Sequence, residues 1–493
     1  MTLPTPDPQF ALNACHALLE EAMGSGNLYE WSLAPFDRLS LPEWGVALFT
    51  RDGALLGGFG CGPSDMAAQT SAWGAVAARY RARMALRDMP TVSATYYELW
   101  QQGRTSADPI ALCLPAGSDY THAQTLQWVE ARRYPSGESV LVPIETVAPY
   151  VSDLGATVDH RALLFTPTPR GLGVGQTLEL AIANGLLDLI QCDGSSVHMG
   201  ALDRGGLIDL NDVRDQATRD LLRYFDEEGI EVMVKLAGLD FGMANIYVVG
   251  YDLPVNDAPH PSMLAACGEA AHPNREQALA LALRRFALAR ARLAFNHAAP
   301  ATVRAHTPSG YVPALQVAMA HHKDQHVLND AQQRERLSHQ QLFAMLSTTA
   351  FSMREQISFA DLPNATTPPD AVLPLLTERV AQTGLEALYV PFTPPDAPAQ
   401  VVKAIVPGLE ANTLTEYRIG RRNVERLLRR NSPLVTIGEP TANGQRVRLT
   451  PEDEYALGGP AWLDTVALDR MVKPLAFLHQ DSSTYPFNIV PEN

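Results

Sequence analysis

The stretch from Gly173 to Cys192, GVGQTLELAIANGLLDLIQC, constrains the fold of this chain more than any other. It begins with two glycines separated by one residue. It continues into a segment with no proline and one further glycine, which predicts a helix. Asn184, Asp188 and Gln191 recur at i, i+4 and i+7, so they lie along one side of that helix between apolar residues. A polar stripe between apolar flanks indicates a helix that presents a binding face.

The same spacing occurs once earlier in the chain and predicts an internal repeat. Both copies place a glycine pair before an alanine-rich helix, and the faces of two such helices can converge on one ligand. The alternative is chance similarity between two alanine-rich helices. The corresponding positions are Gly60, Gly62, Ala68, Ser71, Ala75 and Ala78 in the first copy and Gly173, Gly175, Ala181, Asn184, Asp188 and Gln191 in the second.

Charge and apolar content exclude several classes of protein. The chain has 38 basic and 54 acidic residues, a net charge of −16, which disfavours non-specific binding to nucleic acid or to an anionic membrane. The amino terminus has neither a basic region nor an apolar core of a signal peptide, and no apolar run is long enough to span a bilayer. The 5 cysteines are scattered and lack C-x-x-C spacing, which predicts reduced thiols in a cytoplasmic protein.

Apolar periodicity predicts alternating strands and helices over most of the chain. That alternation predicts an α/β (α+β) fold with mixed sheets packed by helices, an amino-terminal lobe ending near residue 150, and mostly helical structure over 298–370. Helices are predicted over 10–23, 64–87, 122–133, 213–229, 274–297, 373–384 and 418–430. Strands are predicted over 139–147, 230–238, 245–252, 385–393 and 401–408, with a hairpin over 46–60 that turns at Asp52-Gly53.

Several stretches, taken together, resemble the YcaO family. They include TPTPRGLGVGQTLELAIANGLLDLIQCDG (166–194), GEAAHPNREQALALALRRFALARAR (268–292), ALYVPFTPPD (387–396), VVKAIVPGLEANTLTEYRIGRRN (401–423) and GGPAW (458–462). Each motif is loose, and their number and order carry the resemblance. It predicts an N-terminal extension over 1–55, a YcaO-like domain over 56–470 and a C-terminal tail over 471–493.

The resemblance implies an enzyme that uses ATP to phosphorylate the oxygen of a peptide backbone amide, usually after Cys, Ser or Thr has attacked that amide. The product is an azoline, a step toward thiazole- or oxazole-modified natural products, and other members make thioamides or amidines. Family members hold Mg2+ and ATP with glutamates from three helices and with nearby arginines. The resemblance also implies a precursor peptide, a leader-peptide-binding partner protein and a homodimer.

This sequence departs from the family at the positions expected to bind magnesium. Ala75 and Ala78 replace the two glutamates of the first helix. In the second helix Asp188 keeps a carboxylate, whereas Gln191 has lost one. Two replaced positions on the third helix, Arg285 and Leu288, differ independently of the alanines, which favours natural divergence over deliberate inactivation.

The predicted nucleotide site therefore has few carboxylates. Asp188 is the predicted metal ligand, with Glu179 as a possible stand-in, and no catalytic base can be assigned. The predicted nucleotide-binding residues are Ser71, Arg79, Gln176, Asn184, Asp188, Gln191, Arg290 and Arg292.

Three functional readings follow. The chain is an ATP- and Mg2+-dependent cyclodehydratase or thioamide-forming relative, or an inactive pseudoenzyme that binds peptide as a scaffold. As a third reading, His322 and His326 at i, i+4 bind zinc. The arginines between Arg418 and Arg430 form either a surface paired with nearby acids or a dock for an acidic peptide.

Overall fold

The computed structural model of the chain describes residues 8–25, 27–155, 163–196, 205–255, 258–321, 338–411, 417–472 and 486. The predicted zinc pair, His322 and His326, and most of the predicted C-terminal tail lie outside these residues. In the described part of the chain, no helix combines the length and the apolar character needed to cross a membrane.

The first sheet is an antiparallel hairpin extended by one strand. Its strands, in spatial order, are β1 (Asn27–Ser32), β2 (Glu43–Phe49) and β3 (Leu55–Cys61). The predicted hairpin is confirmed, because β2 pairs with β3 and the turn contains Gly53 at a φ of 83°. Helices α1 (Pro8–Ser25) and α2 (Asp65–Asp88) confirm two predicted helices and cover one face. The predicted domain boundary, between residues 55 and 56, falls inside β3.

The second sheet brings together distant parts of the chain. Its strands are β4 (Val92–Thr95), β5 (Thr125–Arg133), β6 (Ser139–Pro143), β7 (Leu172–Gly175), β13 (Leu388–Pro391) and β14 (Gln400–Ile405). Their spatial order is β4-β5-β13-β14-β7, with β6 paired to β5. The predicted helix over 122–133 is wrong, because residues 125–133 form strand β5, in which Leu126 and Trp128 are buried on either side of the more exposed Gln127.

The third sheet consists of β8 (Gly206–Asp209), β9 (Ile230–Gly238), β10 (Ala244–Asp252), β11 (Ala265–His272) and β12 (Glu355–Ser358). Their spatial order is β11-β10-β9-β8-β12. The strands predicted over 230–238 and 245–252 are confirmed as β9 and β10. The remaining strands of this sheet were not predicted.

The other elements are helices and a small fourth sheet near the carboxyl end. The predicted helices over 213–229, 274–297 and 418–430 are confirmed with shorter bounds, and the helix predicted over 373–384 is confirmed with a start four residues earlier, at Pro369. The helices are α3 (Tyr96–Gln101), α4 (Ile144–Val147), α5 (Leu178–Ser195), α6 (Gln216–Glu227), α7 (Arg275–His297), α8 (Pro300–His306), α9 (Tyr311–His321), α10 (His339–Ser347), α11 (Pro369–Gln382), α12 (Arg421–Arg429), α13 (Pro451–Leu457) and α14 (Thr465–Val472). The fourth sheet is β15 (Val435–Ile437), β17 (Ala461–Asp464) and β16 (Gly444–Arg446).

Three sheets and three long helices alternate in a closed ring. Helix α2 packs between the first and second sheets, α5 between the second and third, and α7 between the third and first. Each helix contacts the strand that precedes it and the corresponding strand of the next sheet, in the pairs α2 with β3 and β7, α5 with β7 and β11, and α7 with β11 and β3. The strands β3, β7 and β11 each end a sheet.

Glycines on these three strands allow the strand and helix backbones to touch. A Cβ atom at Gly60, Gly173 or Gly268 would lie closer than 3.0 Å to a helix carbonyl oxygen and to the amide nitrogen four residues later. The glycines therefore lie in the strand before each helix and permit close packing. The predicted repeat is present as two strand–helix units, and β11–α7 is a third. The contacted amides belong to Ala72, Gly185 and Phe286, so Ser71, Asn184 and Arg285, each one residue earlier, are equivalent.

Candidate functional site

The polar stripe of α5 faces the edge strands of the ring. Asn184 and Gln191 are buried, with 3% and 5% of their surface exposed. The Asn184 Nδ2 donates to the Val174 carbonyl oxygen at 2.8 Å, on the strand of its own unit. Since Gln191 lies two turns further along, it reaches the strand of the next unit instead. Each amide is therefore committed to a protein partner.

A three-residue cluster joins α5, β11 and α7. The Gln191 Nε2 donates to Glu269 Oε2 at 2.8 Å. The Arg285 Nη1 donates to Gln191 Oε1 at 3.1 Å and to the Glu269 carbonyl oxygen at 2.6 Å. We call this set the Arg285 cluster. The sequence analysis missed Glu269; its position directly after Gly268, on a strand leading into a long helix, is the signal that could have identified it.

The two predicted metal ligands lie on opposite faces of α5. The Asp188 Oδ2 accepts from the Gly171 amide at 2.8 Å, and Oδ1 lies 3.7 Å from Arg170 Nη1. Glu179 is exposed in the first turn of the helix, near Tyr134. Nine residues of α-helix amount to a rotation of about 180° and a rise of about 14 Å. Glu179 and Asp188 therefore cannot hold the same ion from these positions.

Helix α2 has no carboxylate between Ser71 and Arg79, and Arg79, its predicted nucleotide-binding arginine, is bonded elsewhere. Ser71 and Ala75 lie against glycines of β3, and Ala78 is part of the core with 5% of its surface exposed. The Arg79 Nη1 donates to the Gly57 carbonyl oxygen, and its guanidinium lies 5.6 Å from the centre of the Tyr150 ring.

Helix α7 also commits its predicted phosphate ligands to the protein. Arg290 is buried and forms ion pairs with Asp252 at 2.7 Å and Asp37 at 3.2 Å. The Arg292 guanidinium lies 4.7 Å from the centre of the Phe59 ring on β3. Leu288, a replaced family position, packs in the apolar core between α7 and the first sheet. Arg290 therefore ties α7 to the first and third sheets.

Gln176 lies at the start of α5. It precedes Thr177, whose side chain caps α5 by accepting from the Leu180 amide at 3.3 Å. The Gln176 Nε2 is buried and has no hydrogen-bond partner among the described residues. A buried amide without a partner is uncommon in a folded protein. Gln176 is thus a predicted site residue with hydrogen-bonding capacity left for a ligand.

The side chains at the centre of the ring do not fit a magnesium ion. Within the described residues, no group of three or more His, Cys, Asp or Glu side chains is arranged to hold a metal. Magnesium requires oxygen ligands in near-octahedral geometry. Asp188 already faces Arg170, and the Arg285 cluster places a cation beside Gln191, the third residue of the α5 stripe. We therefore derive no chemical step through Mg2+ at this centre.

Two arginines of α12, Arg422 and Arg426, point into the protein. The Asp193 carboxylate is fully buried and forms ion pairs with Arg426 at 2.6 Å and Arg422 at 2.9 Å. Arg418, which precedes the helix, is also buried and donates to the carbonyl oxygens of Leu112 and Cys113 at 2.8 Å. These three arginines are paired with internal acceptors, so they do not form an open dock for an acidic peptide.

Lys403 on β14 is buried near Asp188 and its Nζ donates to the Thr168 carbonyl oxygen. Burial lowers the pKa of Lys403 from 10.5 to about 7. Between these values the unfolded chain binds more protons than the folded protein, so this lysine makes stability rise with pH from about 7 to about 10. At and below pH 7 the folded protein bears the cost of a buried ammonium.

Replacing Lys403 with methionine should therefore stabilise the protein near neutral pH. We expect a gain of about 1–3 kcal/mol in the free energy of unfolding at pH 7, shrinking toward zero near pH 10. Urea unfolding of both proteins at the two pH values measures the difference. An equal gain at both pH values would contradict the assignment.

The sequence matches the YcaO family, described as YcaO cyclodehydratase, ATP- and Mg2+-binding, over residues 59–410. An uncharacterised protein of Methanothermobacter thermautotrophicus is 25% identical over 390 residues, which are 78% of this chain and 90% of that protein. YcaO from Methanopyrus kandleri, solved with AMPPCP and Mg2+, has a TM-score of 0.56 and 19% identity over 85% of this chain and 95% of its own.

A heterocyclase solved in complex with substrate and cofactor gives the same TM-score, 0.56, at 16% identity; the match covers 80% of this chain and 52% of that one. At such identities the structures establish the fold, and they confirm the predicted mixed sheets packed by helices. The family match begins inside β3 and ends at Glu410, so it includes all three strand–helix units of the ring. The chain therefore belongs to the YcaO family.

Proposed function

We propose that this chain is a YcaO-family protein whose nucleotide centre has been converted into an internal structural contact. In this proposal it works in the cytoplasm in the biosynthesis of a ribosomally made, backbone-modified peptide. Its role there is to bind the precursor peptide or an active partner protein, not to phosphorylate the peptide. The ring of strand–helix units is kept, whereas the carboxylates that the family uses for Mg2+ are absent or neutralised.

The Arg285 cluster supports this proposal most directly. A guanidinium bonded to Gln191 and to the backbone of Glu269 adds positive charge close to the surviving stripe of α5. The carboxylate of the cluster, Glu269, already accepts from Gln191 Nε2 at 2.8 Å, so a divalent ion placed there would have to displace these contacts and the Arg285 guanidinium. Without that ion the triphosphate would lack the metal that offsets its own charge. On α2, Ala75 and Ala78 offer no oxygen ligands.

Calorimetric titration with Mg·ATP tests the proposal. We expect no saturable binding up to about 1 mM nucleotide, because a Kd above this value corresponds to a binding free energy weaker than about −4 kcal/mol. The melting temperature should also be the same in EDTA and in Mg2+. Saturable, Mg2+-dependent binding with a Kd below about 0.1 mM would contradict the proposal.

The second candidate is the ATP-dependent cyclodehydratase that the family description names, and the unpartnered Gln176 Nε2 favours it. A matched pair of variants separates the two. The first carries Ala75→Glu and Ala78→Glu, and the second adds Gln191→Glu and Arg285→Gln. If the centre was converted as proposed, Mg·ATP binds to the second variant and not to the first. Binding by the first alone would place the whole defect in α2.

A further inference from the structure

A cleft lies beside β14. Its lining includes three leucines, Leu112, Leu189 and Leu409, which we call the leucine wall. The lining also includes the cationic residues Arg170, Lys403 and Arg418. A cleft lined by both kinds of side chain suits a ligand with an apolar part and an anionic part.

Lys403 is the cation with hydrogen-bonding capacity left. Its side chain is buried, with 2% of the residue exposed. A protonated lysine has three N–H donors. The hydrogen bond to the Thr168 carbonyl oxygen uses one of them. Burying an ammonium with part of its donors unused is unfavourable, and an anion in the cleft would relieve that cost.

The acidic groups near the cleft leave an excess of positive charge. Asp188 is held by the Gly171 amide and lies beside Arg170. Both oxygens of Glu410 accept backbone hydrogen bonds at 2.8 Å, and burial raises its pKa to about 7. Two arginines and a lysine whose pKa is about 7 therefore line the cleft beside one carboxyl group, Glu410. In a chain with a net charge of −16, this local excess is a specific feature and not a consequence of composition.

We propose that this cleft binds a small organic carboxylate. The Lys403 ammonium bonds the carboxylate, Arg170 and Arg418 add favourable charge, and the apolar part of the ligand lies against the leucine wall. The same chemistry is offered by a free acylated amino acid and by the carboxyl terminus of a peptide that ends in an aliphatic residue. This site does not depend on the function proposed above.

Titration with N-acetyl-leucine tests the site, with N-acetyl-leucine amide as the neutral analogue. We expect saturable binding of the acid and at least about tenfold weaker binding of the amide, because charge-assisted hydrogen bonds to the carboxylate are lost. Inorganic phosphate, which has no apolar part, should also bind at least about tenfold more weakly. Equal affinity for acid and amide, or for acid and phosphate, would overturn the proposal.

Two lysine variants locate the binding. Lys403→Met should weaken N-acetyl-leucine binding at least about tenfold. Lys235→Met is the matched control, because Lys235 is equally buried and its Nζ also donates to a backbone carbonyl, that of Ala350, at 2.7 Å. The control should bind as the parent does. Unchanged binding by Lys403→Met, or loss in both variants, would overturn the assignment.

A peptide that ends in leucine identifies the source of the carboxylate. If it binds as tightly as N-acetyl-leucine, the cleft accepts a chain terminus, and the proposed site is supported as a peptide site. If the free acid alone binds, the site is supported as one for a small molecule. Failure of both ligands would overturn the proposal and would leave the Mg·ATP experiment unaffected.

Discussion

Replacing Gly173 with alanine is expected to prevent α5 from docking on β7. The new Cβ would lie closer than 3.0 Å to the Ala181 carbonyl oxygen and to the Gly185 amide nitrogen. Both atoms belong to the helix backbone, so no side-chain rotation relieves the overlap. The expected loss in the free energy of unfolding is more than about 4 kcal/mol, at the upper end of single substitutions. Chemical unfolding followed by circular dichroism measures it.

Gly74→Ala is the control for this prediction. Gly74 lies inside α2, where a Cβ would meet a methyl group of Val174 at 3.3 Å and no backbone atom. Alanine favours a helix interior over glycine by about 1 kcal/mol, so we expect a change of less than about 1 kcal/mol in either direction. If the ring is threefold in its packing, Gly60→Ala and Gly268→Ala should behave like Gly173→Ala. If Gly173→Ala were nearly as stable as the parent, the backbones of β7 and α5 would not be in contact at Gly173.

Replacing Asp193 with asparagine should have the second largest effect. Burial acts to raise the pKa of this carboxyl, but the charges of Arg426 and Arg422 outweigh it and hold the pKa below its ordinary value. Asparagine leaves these buried cations without their shared counterion, although Arg426 keeps its ion pair with Asp240 at 2.7 Å. Removing one partner of a buried ion pair typically costs about 3–5 kcal/mol.

The pH dependence of the same variant provides an independent check. Because the folded pKa of Asp193 lies below the unfolded value, its contribution is present above about pH 4 and is lost as the pH falls through the folded pKa. The stability difference between parent and variant should therefore be constant near neutral pH and shrink in acid.

Asp453→Asn serves as the exposed counterpart. Asp453 pairs with Arg421 at 3.2 Å, and both side chains are partly solvent-exposed. Its removal should cost less than about 1 kcal/mol. Equal costs for the two aspartates would contradict the structural role assigned to Asp193.

The local pattern predicted the long helices well because they satisfy the periodicity by themselves. The polar stripe of α5 repeats at helical spacing over about two turns, and the apolar faces of α2 and α7 do so over more than four. The segment 122–133 was predicted wrongly as a helix, since its alternation is short. The conformation of this segment is decided by the pairing of β5 with β4, β6 and β13. Strands β4 and β6 are neighbours of β5 in the sequence, whereas β13 is remote from it.

The candidate site was predicted in part. The stripe of Asn184, Asp188 and Gln191 was found from spacing, and the absence of glutamates on α2 was read directly from Ala75 and Ala78. Glu269 was missed, because its role arises from contact with residues of two helices. Arg290 was predicted to meet phosphate, whereas the structure pairs it with Asp37 and Asp252, which are far from it in sequence.

The sequence by itself determined the family, the alternation of strands and helices, and the absence of carboxylates at Ala75 and Ala78, because these depend on residue identity and local spacing. Tertiary structure alone decided how the remaining charges are used. Ion pairs such as Asp193 with Arg426, and the contact of Arg285 with Gln191, join residues from separate elements. Their energies depend on burial and on distances of a few ångströms, which are fixed only when the three sheets and three helices close into the ring.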